Sequence, residues 1–178
     1  MNNSIYTIGH SNISIENFIE ILHAHEIKTL VDVRSSPFAR YADWFNGPFL
    51  EKELIKNKIK YRFAGEHLGG RPKGNEYYLA DNCVNYRKMS ESKIYKEGLE
   101  RLKELASINK TVIMCSEKKY SDCHRNLLIA KTLGSDWSIH HIIDKDSIEP
   151  YSSAEQASFE LGEEGEQWKS TLPVSRDG

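Results

Sequence analysis

The chain has 178 residues and a mass of 20.5 kDa, which suits one globular domain with a substantial core. Its hydrophobic fraction of 39% and aromatic fraction of 10% exclude wholesale disorder. The formal charge of −2 excludes a uniformly basic nucleic-acid-binding protein, but it conceals an asymmetry. Eight acidic and three basic residues give residues 145–178 a charge of −5, so residues 1–144 carry +3.

The chain has three cysteines, Cys83, Cys115 and Cys123. This low, uneven count is not typical of a secreted protein held together by disulfide bonds. The N-terminus lacks a basic region followed by an apolar stretch, so we expect no signal peptide. No apolar run approaches the roughly 20 residues that span a bilayer. We therefore expect a cytoplasmic protein with reduced thiols and no membrane partner.

Apolar periodicity predicts strands and helices that alternate along residues 1–144. In chain order they are strand Ser4–Ile8, helix Ile15–His25 with Ser14 as its N-cap, strand Lys28–Val33, helix Phe49–Ile59, strand Lys60–Phe63, a glycine-rich loop over Gly65–Tyr86, helix Ser92–Ala106, strand Thr111–Cys115, helix Cys123–Leu133 and strand Ser138–Ile143. In the tail, Ala154–Leu161 is either a short docked helix or part of a frayed end.

Strands joined by helices imply parallel pairing with right-handed crossovers. The predicted fold is therefore a single α/β domain over residues 1–144, with a mostly parallel sheet flanked by helices. Residues 145–178 are predicted to form an acidic C-terminal extension that is partly ordered or flexible.

Polar side chains follow three of the predicted strands, where ligands bind in parallel α/β sheets. They lie in Gly9–Asn12 after the first strand, in Asp32–Ser36 after the second, and in Cys115–Glu117 after the fourth, ahead of Cys123–Arg125. We expect these strand ends to converge on one pocket.

Cys115 is the candidate nucleophile, because a thiol that faces a helix N-terminus and an arginine has its thiolate stabilised. Arg125 would then hold an anion. Three other interpretations of Cys115 stay open: a buried structural cysteine, a redox pair with Cys123, and a zinc site with Cys123, His124 and His10.

The other polar residues at the strand ends also have alternative roles. His10 is either a proton carrier or a structural histidine. Asp32 and Arg34 point to the same side of their strand, so they form either a structural ion pair or a functional one. In the functional version Asp32 orients His10 or a substrate, and Arg34 binds an anion. Glu117 is the candidate general acid or base.

The predicted loops carry cations interleaved with aromatic side chains, a pattern that suits base stacking and phosphate contact. This set comprises Arg40, Tyr41, Trp44, Phe45, Arg71, Lys73, Tyr77, Tyr78, Arg87, Lys88, Lys118 and Lys119. The alternative to an enzyme is therefore a non-catalytic nucleic-acid-binding module. A third hypothesis is an interaction protein whose acidic tail mimics a polyanion or shields a polyanion site.

Four motifs resemble those of a bacterial and archaeal family, domain of unknown function 488. They are Thr7–Asn12, Leu30–Ser35 with Pro37, Leu68–Gly70, and Cys115–Glu117 ahead of Cys123–Arg125. The resemblance spans Tyr6 to about Ile143, and the tail lies outside it. Membership in this family implies no particular reaction.

The chain is more distantly similar to rhodanese-like domains, through Leu30–Arg34 and through a cysteine that closes a central strand before a helix. This resemblance implies a rhodanese-like layout, as an alternative to a doubly wound one. It also implies that Cys115 is a thiolate that carries a persulfide or attacks an anion.

The leading hypothesis is an enzyme, a thiol-dependent transferase or hydrolase, that acts on a small anionic or nucleotide-like substrate without a cofactor or a metal. Its expected catalytic residues are Cys115, Glu117, His10 and Asp32. Its expected substrate-binding residues are Arg34, Ser35, Asn12, Gly69, Gly70, Arg71, Cys123, His124 and Arg125. The sequence leaves the substrate and the oligomeric state open.

Overall fold

A computed structural model of the chain describes residues 3–151 and 168–174. Within these residues one sheet has six strands in the order β3-β2-β4-β1-β5-β6. The strands are β1 (Ser4–Gly9), β2 (Thr29–Asp32), β3 (Lys60–Phe63), β4 (Thr111–Cys115), β5 (Ser138–Ile142) and β6 (Ile148–Pro150). The first five pair in parallel, and β6 joins the edge antiparallel to β5. This confirms the prediction of a single α/β domain with a mostly parallel sheet.

Helices cover both faces of the sheet. They are α1 (Ile15–Ala24), α2 (Gly47–Lys56), α3 (Gly65–Leu68), α4 (Tyr86–Glu91), α5 (Lys93–Ile108), a π-helical segment (Arg125–Ala130) and its continuation α6 (Lys131–Leu133). Short 3-10 turns lie at Asp43–Phe45, Asn75–Tyr77 and Gly134–Asp136. The expected order of strands and major helices is therefore confirmed.

Side-chain alternation along the central strands divides the core into two layers. In β4, Val112 and Met114 pack against α1 and α2, whereas Ile113 and Cys115 face α5 and the π-helical segment. All five β4 residues are buried, as expected for a strand at the centre of a parallel sheet. Cys115 thus ends a buried strand that pairs with β1 on one side and β2 on the other.

Local capping explains where the long helices begin. The side chains of Ser14 and Ser92 accept from the backbone N–H groups of Asn17 and Tyr95, three residues downstream. The predicted Ser14 cap is therefore confirmed. The helix expected over Cys123–Leu133 differs, because most of it is π-helical, a conformation that is frequent at functional sites.

The glycine-rich segment expected to be a loop contains α3 and the Asn75–Tyr77 turn, and α4 begins at its end. These elements are too short for a helical period to show in the sequence. Asn85 caps α4 by accepting from the backbone N–H of Lys88. Of the helices in the part of the chain that the structure describes, none is long and apolar enough to cross a membrane.

Part of the acidic tail packs onto the domain. Residues 168–174 run beside residues 82–86, with backbone bonds from Ser170 N–H to the Val84 carbonyl and from Val174 N–H to the Asn82 carbonyl. The Trp168 indole N–H donates to the Leu127 carbonyl. The helix considered over Ala154–Leu161 lies outside the described residues.

Candidate functional site

The ends of β1, β2 and β4 lie side by side, because β4 pairs with both other strands. A cavity of about 380 Å³ opens beyond them, and residues from all three strand ends line it. His10 follows β1, Arg34 follows β2, and Cys115 ends β4. The expected convergence of these strand ends is thus observed, at the edge where parallel α/β sheets bind ligands.

Two cysteines, a histidine and a glutamate meet on one wall of the cavity. The imidazole Nδ1 of His124 lies 3.7 Å from the sulfur of Cys115 and 3.7 Å from the sulfur of Cys123. Oε2 of Glu117 lies 2.6 Å from the Cys115 sulfur and 3.4 Å from the Cys123 sulfur. The Cys115, Cys123 and His124 residues are buried, whereas Glu117 is exposed.

This proximity separates the acidities of the two thiols. The Cys123 thiol, which donates to Cys115, lowers the pKa of Cys115 well below its ordinary value, and His124 adds to this effect. Burial raises the pKa of Cys123 well above its ordinary value, and the neighbouring Cys115 raises it further. Burial lowers the pKa of His124, but the Cys115 thiolate and Glu117 outweigh burial, so that this pKa is raised. These surroundings therefore favour the thiolate form of Cys115 over that of Cys123.

The ring of His124 is held in one orientation. Its Nε2–H donates to the Val33 carbonyl over 3.0 Å, which turns Nδ1 toward the sulfurs. Gly70 packs against the other side of the ring, and a Cβ at this position would lie 2.8 Å from the His124 ring. A glycine is therefore needed at position 70 to let the loop approach the histidine.

The same four residues could hold a metal ion. Cys115, Glu117, Cys123 and His124 each offer one ligand atom, and these atoms all lie within 4.8 Å of one another. Thiolate and imidazole ligands suit zinc and other soft divalent cations.

An ion pair lies under the adjoining part of the cavity. Asp32 accepts from Arg34 Nε over 2.9 Å and from Nη2 over 2.6 Å, and it also accepts from the Tyr61 hydroxyl over 2.9 Å. Asp32 is fully buried, and the exposed fraction of Arg34 is 5%. Asp32 thus fixes Arg34, and burial together with this carboxylate raises the pKa of Tyr61.

His10 links this pair to the cavity as a neutral imidazole. Its Nδ1–H donates to the Ser11 carbonyl over 2.6 Å, which leaves Nε2 to accept from Arg34 Nη1 over 3.3 Å. The ring stacks on Phe45 with centroids 4.1 Å apart. Burial, aided by Arg34, lowers the pKa of His10 to about 4, so it is uncharged near neutral pH.

Arg125 lies behind the cavity and holds the loop that follows β4. Its guanidinium donates to the backbone carbonyls of Ile8, Glu117 and Lys118, and its exposed fraction is 1%. A Cβ at position 9 would lie 1.9 Å from the Glu117 carbonyl oxygen, so Gly9 permits this close approach. Arg125 therefore fixes the position of Glu117, and it is not among the residues that line the cavity.

Most of the residues predicted for the site meet at one place. Those that line the cavity are His10, Arg34, Ser35, Gly70, Arg71, Cys115, Glu117, Cys123 and His124. Asp32 lies beneath Arg34, and Gly69 packs against Ser35, whose hydroxyl accepts from the Arg71 backbone N–H. Asn12 is exposed and lies outside the lining.

Sequence reasoning missed three parts of the cavity wall. Phe38 stands at the cavity with an exposed fraction of 65%, and Tyr86 lies on its buried side. Residues 170–174 of the tail form a further side. The position of Phe38, next to Pro37 of the second motif, could have indicated that it lines the cavity. No local sequence pattern indicates that residues 170–174 return to this edge of the sheet.

Comparisons with known proteins give one match. No curated protein and no solved structure matches the chain. Residues 14–132, which contain α1, the Asp32–Arg34 pair and both cysteines of the cavity, match the family described as domain of unknown function DUF488. The chain therefore belongs to the DUF488 family.

Proposed function

We propose that the protein is a thiol-dependent enzyme, a transferase or hydrolase, that binds a small anionic or nucleotide-like substrate in the cavity beside Cys115. One observation carries this proposal: Cys115, at the end of a buried central strand, lines the cavity, and its sulfur lies 3.7 Å from the imidazole Nδ1 of His124. Paired thiolate and imidazole groups are the usual form of an activated cysteine nucleophile.

In the proposed reaction the Cys115 thiolate forms a bond to an electrophilic atom of the substrate. The leaving group departs with its bonding electron pair and takes a proton from the Nδ1 of His124. Water or a second acceptor then gives up a proton to His124 and attacks the substrate atom, which releases the Cys115 thiolate with the electrons of the broken bond. Glu117, 2.6 Å from the sulfur, is the candidate second proton carrier.

The proposed substrate class rests on the cavity walls. Arg71 is a cationic residue that lines the cavity, and its backbone N–H donates to the Ser35 hydroxyl. The exposed ring of Phe38 offers a flat surface on which an aromatic group of a nucleotide can stack. Arg34 also lines the cavity, but Asp32 balances its charge, so Arg71 is the main candidate for anion attraction.

The reactivity of the thiols tests the nucleophile. Chelator-treated protein is reacted with iodoacetamide at one fixed pH near neutrality, and the modified cysteines are followed by peptide mass spectrometry. We expect Cys115 to react on the order of tenfold faster than a small free thiol, since lowering a thiol pKa raises its thiolate fraction. Cys83, which is buried outside the cavity, serves as the internal control.

Two variants give this experiment its controls. His124→Gln should slow alkylation of Cys115 to the rate of an ordinary thiol, whereas Cys83→Ser should leave the Cys115 rate unchanged. Alkylation of Cys115 no faster than Cys83 in the folded wild-type protein would overturn the proposed nucleophile.

The preference for anions has its own readout. Iodoacetate and iodoacetamide carry the same leaving group and differ in charge, so the ratio of their rates at Cys115 measures anion attraction. Arg71→Gln should lower that ratio about threefold, the size of one exposed charge interaction. Arg101→Gln on the exposed face of α5 is the matched control. Equal ratios in all three proteins would contradict an anionic substrate.

The resemblance to rhodanese-like domains points to one specific reaction within this proposal, the transfer of a sulfur atom. Here the Cys115 thiolate attacks the outer sulfur of thiosulfate, forms a persulfide and releases sulfite. A Cys115 peptide heavier by one sulfur atom would support this reaction. An unmodified peptide after incubation with excess thiosulfate would remove it and leave the other thiol reactions in place.

A further inference from the structure

Four acidic or basic ligand atoms crowd together at the cavity wall with little room for separate solvation. Two sulfurs, one carboxylate oxygen and one imidazole nitrogen lie within 4.8 Å of one another, and three of the four residues are buried. Crowded anionic groups that share few protons bind a cation favourably, because the cation replaces those protons and removes the repulsion between the groups.

The separations match those between the ligands of a tetrahedral zinc ion. With Zn–S bonds of about 2.3 Å and Zn–N or Zn–O bonds of about 2.0 Å, neighbouring ligands lie about 3.5 Å apart. The two sulfurs each lie 3.7 Å from Nδ1 of His124, and Oε2 of Glu117 lies 3.4 Å from the Cys123 sulfur. The 2.6 Å between Glu117 and the Cys115 sulfur is shorter, but the exposed Glu117 side chain has room to swing outward.

His124 already makes the outer contact that zinc-binding histidines make. Its Nε2–H donates to the Val33 carbonyl, so in the neutral ring the lone pair is on Nδ1 and faces both sulfurs. Zinc-bound histidines almost always donate the other ring N–H to a carbonyl or carboxylate in this way. The metal would therefore find the histidine in the required tautomer and orientation.

The charges also favour a divalent cation. Two thiolates, one carboxylate and a neutral imidazole carry three negative charges, which Zn²⁺ reduces to one. The remaining charge lies near the buried Arg125 guanidinium, which acts electrostatically on Cys123. Zinc fits this ligand set better than magnesium or calcium, which prefer oxygen ligands only.

We propose that Cys115, Cys123 and His124 form a zinc site that Glu117 closes as the fourth ligand. This inference does not depend on the thiol-enzyme proposal, but the two share one sulfur. A thiolate bound to zinc is less nucleophilic than a free thiolate, so the zinc-loaded form should react slowly with iodoacetamide and the metal-free form quickly.

Metal content and cobalt spectroscopy test the site directly. The full chain, produced without a histidine tag, is stripped with a chelator and then titrated with Zn²⁺ against a chromophoric competitor, and separately with Co²⁺. We expect one tightly bound Zn²⁺ per chain. Bound Co²⁺ should show thiolate-to-cobalt charge transfer together with the intense visible bands of a tetrahedral ion.

Substitutions distinguish the residues that bind zinc from those that do not. Cys115→Ser, Cys123→Ser and His124→Gln should each weaken zinc binding by more than the roughly 10–100-fold lost with an outer-shell partner. Glu117→Gln, on an exposed side chain that tolerates change, should weaken it less and keep the charge-transfer band. Cys83→Ser should bind zinc as the wild type does, and circular dichroism checks that each variant is folded.

Each outcome decides between the proposals. Failure of the stripped wild-type chain to bind stoichiometric zinc, or equal binding by the folded Cys123→Ser variant, would overturn the zinc site. Zinc binding without fast alkylation of Cys115 in the stripped protein would leave the zinc site standing and overturn the thiol enzyme. Fast alkylation of Cys115 without zinc binding would overturn the zinc site and leave the thiol enzyme standing.

Discussion

The buried pair of Asp32 and Arg34 gives the sharpest stability prediction, for the substitution Asp32→Asn. Asp32 accepts four hydrogen bonds, from the Arg34 backbone N–H, from Nε and Nη2 of the same arginine, and from the Tyr61 hydroxyl. An asparagine fits the same space and its oxygen keeps the bond from Tyr61. The substitution removes the negative charge and leaves the buried guanidinium without a counter-ion.

Breaking a buried ion pair by removing one partner costs about 3–5 kcal/mol. A chain of 178 residues loses roughly 2–4 °C of melting temperature per kcal/mol, so Asp32→Asn should lower the melting temperature by about 6–20 °C. Removing the stranded charge as well should recover much of this loss. The double variant Asp32→Asn/Arg34→Met should therefore be more stable than Asp32→Asn alone.

A double-mutant cycle tests this prediction. Thermal and urea unfolding are measured for Asp32→Asn, for Arg34→Met and for the double variant. Glu100→Gln on α5 is the matched control, because it breaks the exposed bridge to Lys103 and should cost about 0.5 kcal/mol or less. A cost below about 1 kcal/mol for Asp32→Asn would refute the assignment of a buried, charge-compensated pair. A double variant whose loss equals the sum of the single losses would refute the coupling between the two residues.

The other predictions concern pH, packing and metal. Burial, aided by Arg125, lowers the pKa of His141 to about 4, so the folded protein resists protonation of this ring. The His141 contribution to stability should be fully present above pH 6.5 and fall by about 3 kcal/mol as the pH drops toward 4, in addition to the loss from His10, whose pKa is also lowered to about 4. Urea unfolding should therefore show a shallower fall for His141→Gln than for the wild type. Gly70→Ala places a Cβ 2.8 Å from the His124 ring, so it should slow Cys115 alkylation and weaken Co²⁺ binding while circular dichroism stays native. Zinc at about 100 times its dissociation constant should add about 2.7 kcal/mol, or roughly 5–10 °C, which a chelator reverses in a thermal scan.

The sheet was predictable because its central strands carry strong local signals. Thr111–Cys115 is a short run of buried apolar residues, and parallel strands of this kind are recognisable without a partner. The terminal strand Ile148–Pro150 was missed since all three of its residues are exposed and it contains a proline. Only its position against β5 makes it a strand.

The site was predictable to the extent that it depends on strand ends. Parallel pairing brings His10, Arg34 and Cys115 to one edge of the sheet, and this placement does not depend on the conformation of the loops. The role of Arg125 was harder to predict, because an arginine that follows a cysteine and a histidine suits an anion site as well as a structural one. Its contacts with three backbone carbonyls depend on Gly9, whose sequence neighbours give no sign of them.

The position of the family match bears on which parts of the cavity select a substrate. Cys115, His124, Asp32 and Arg34 all lie within residues 14–132, so the thiol, the imidazole and the buried ion pair belong to the region that matches the family. Residues 170–174 lie outside that region and still form one side of the cavity. If the chemistry is common to the family, the shape of the space above Cys115 is set in part by the tail of this chain.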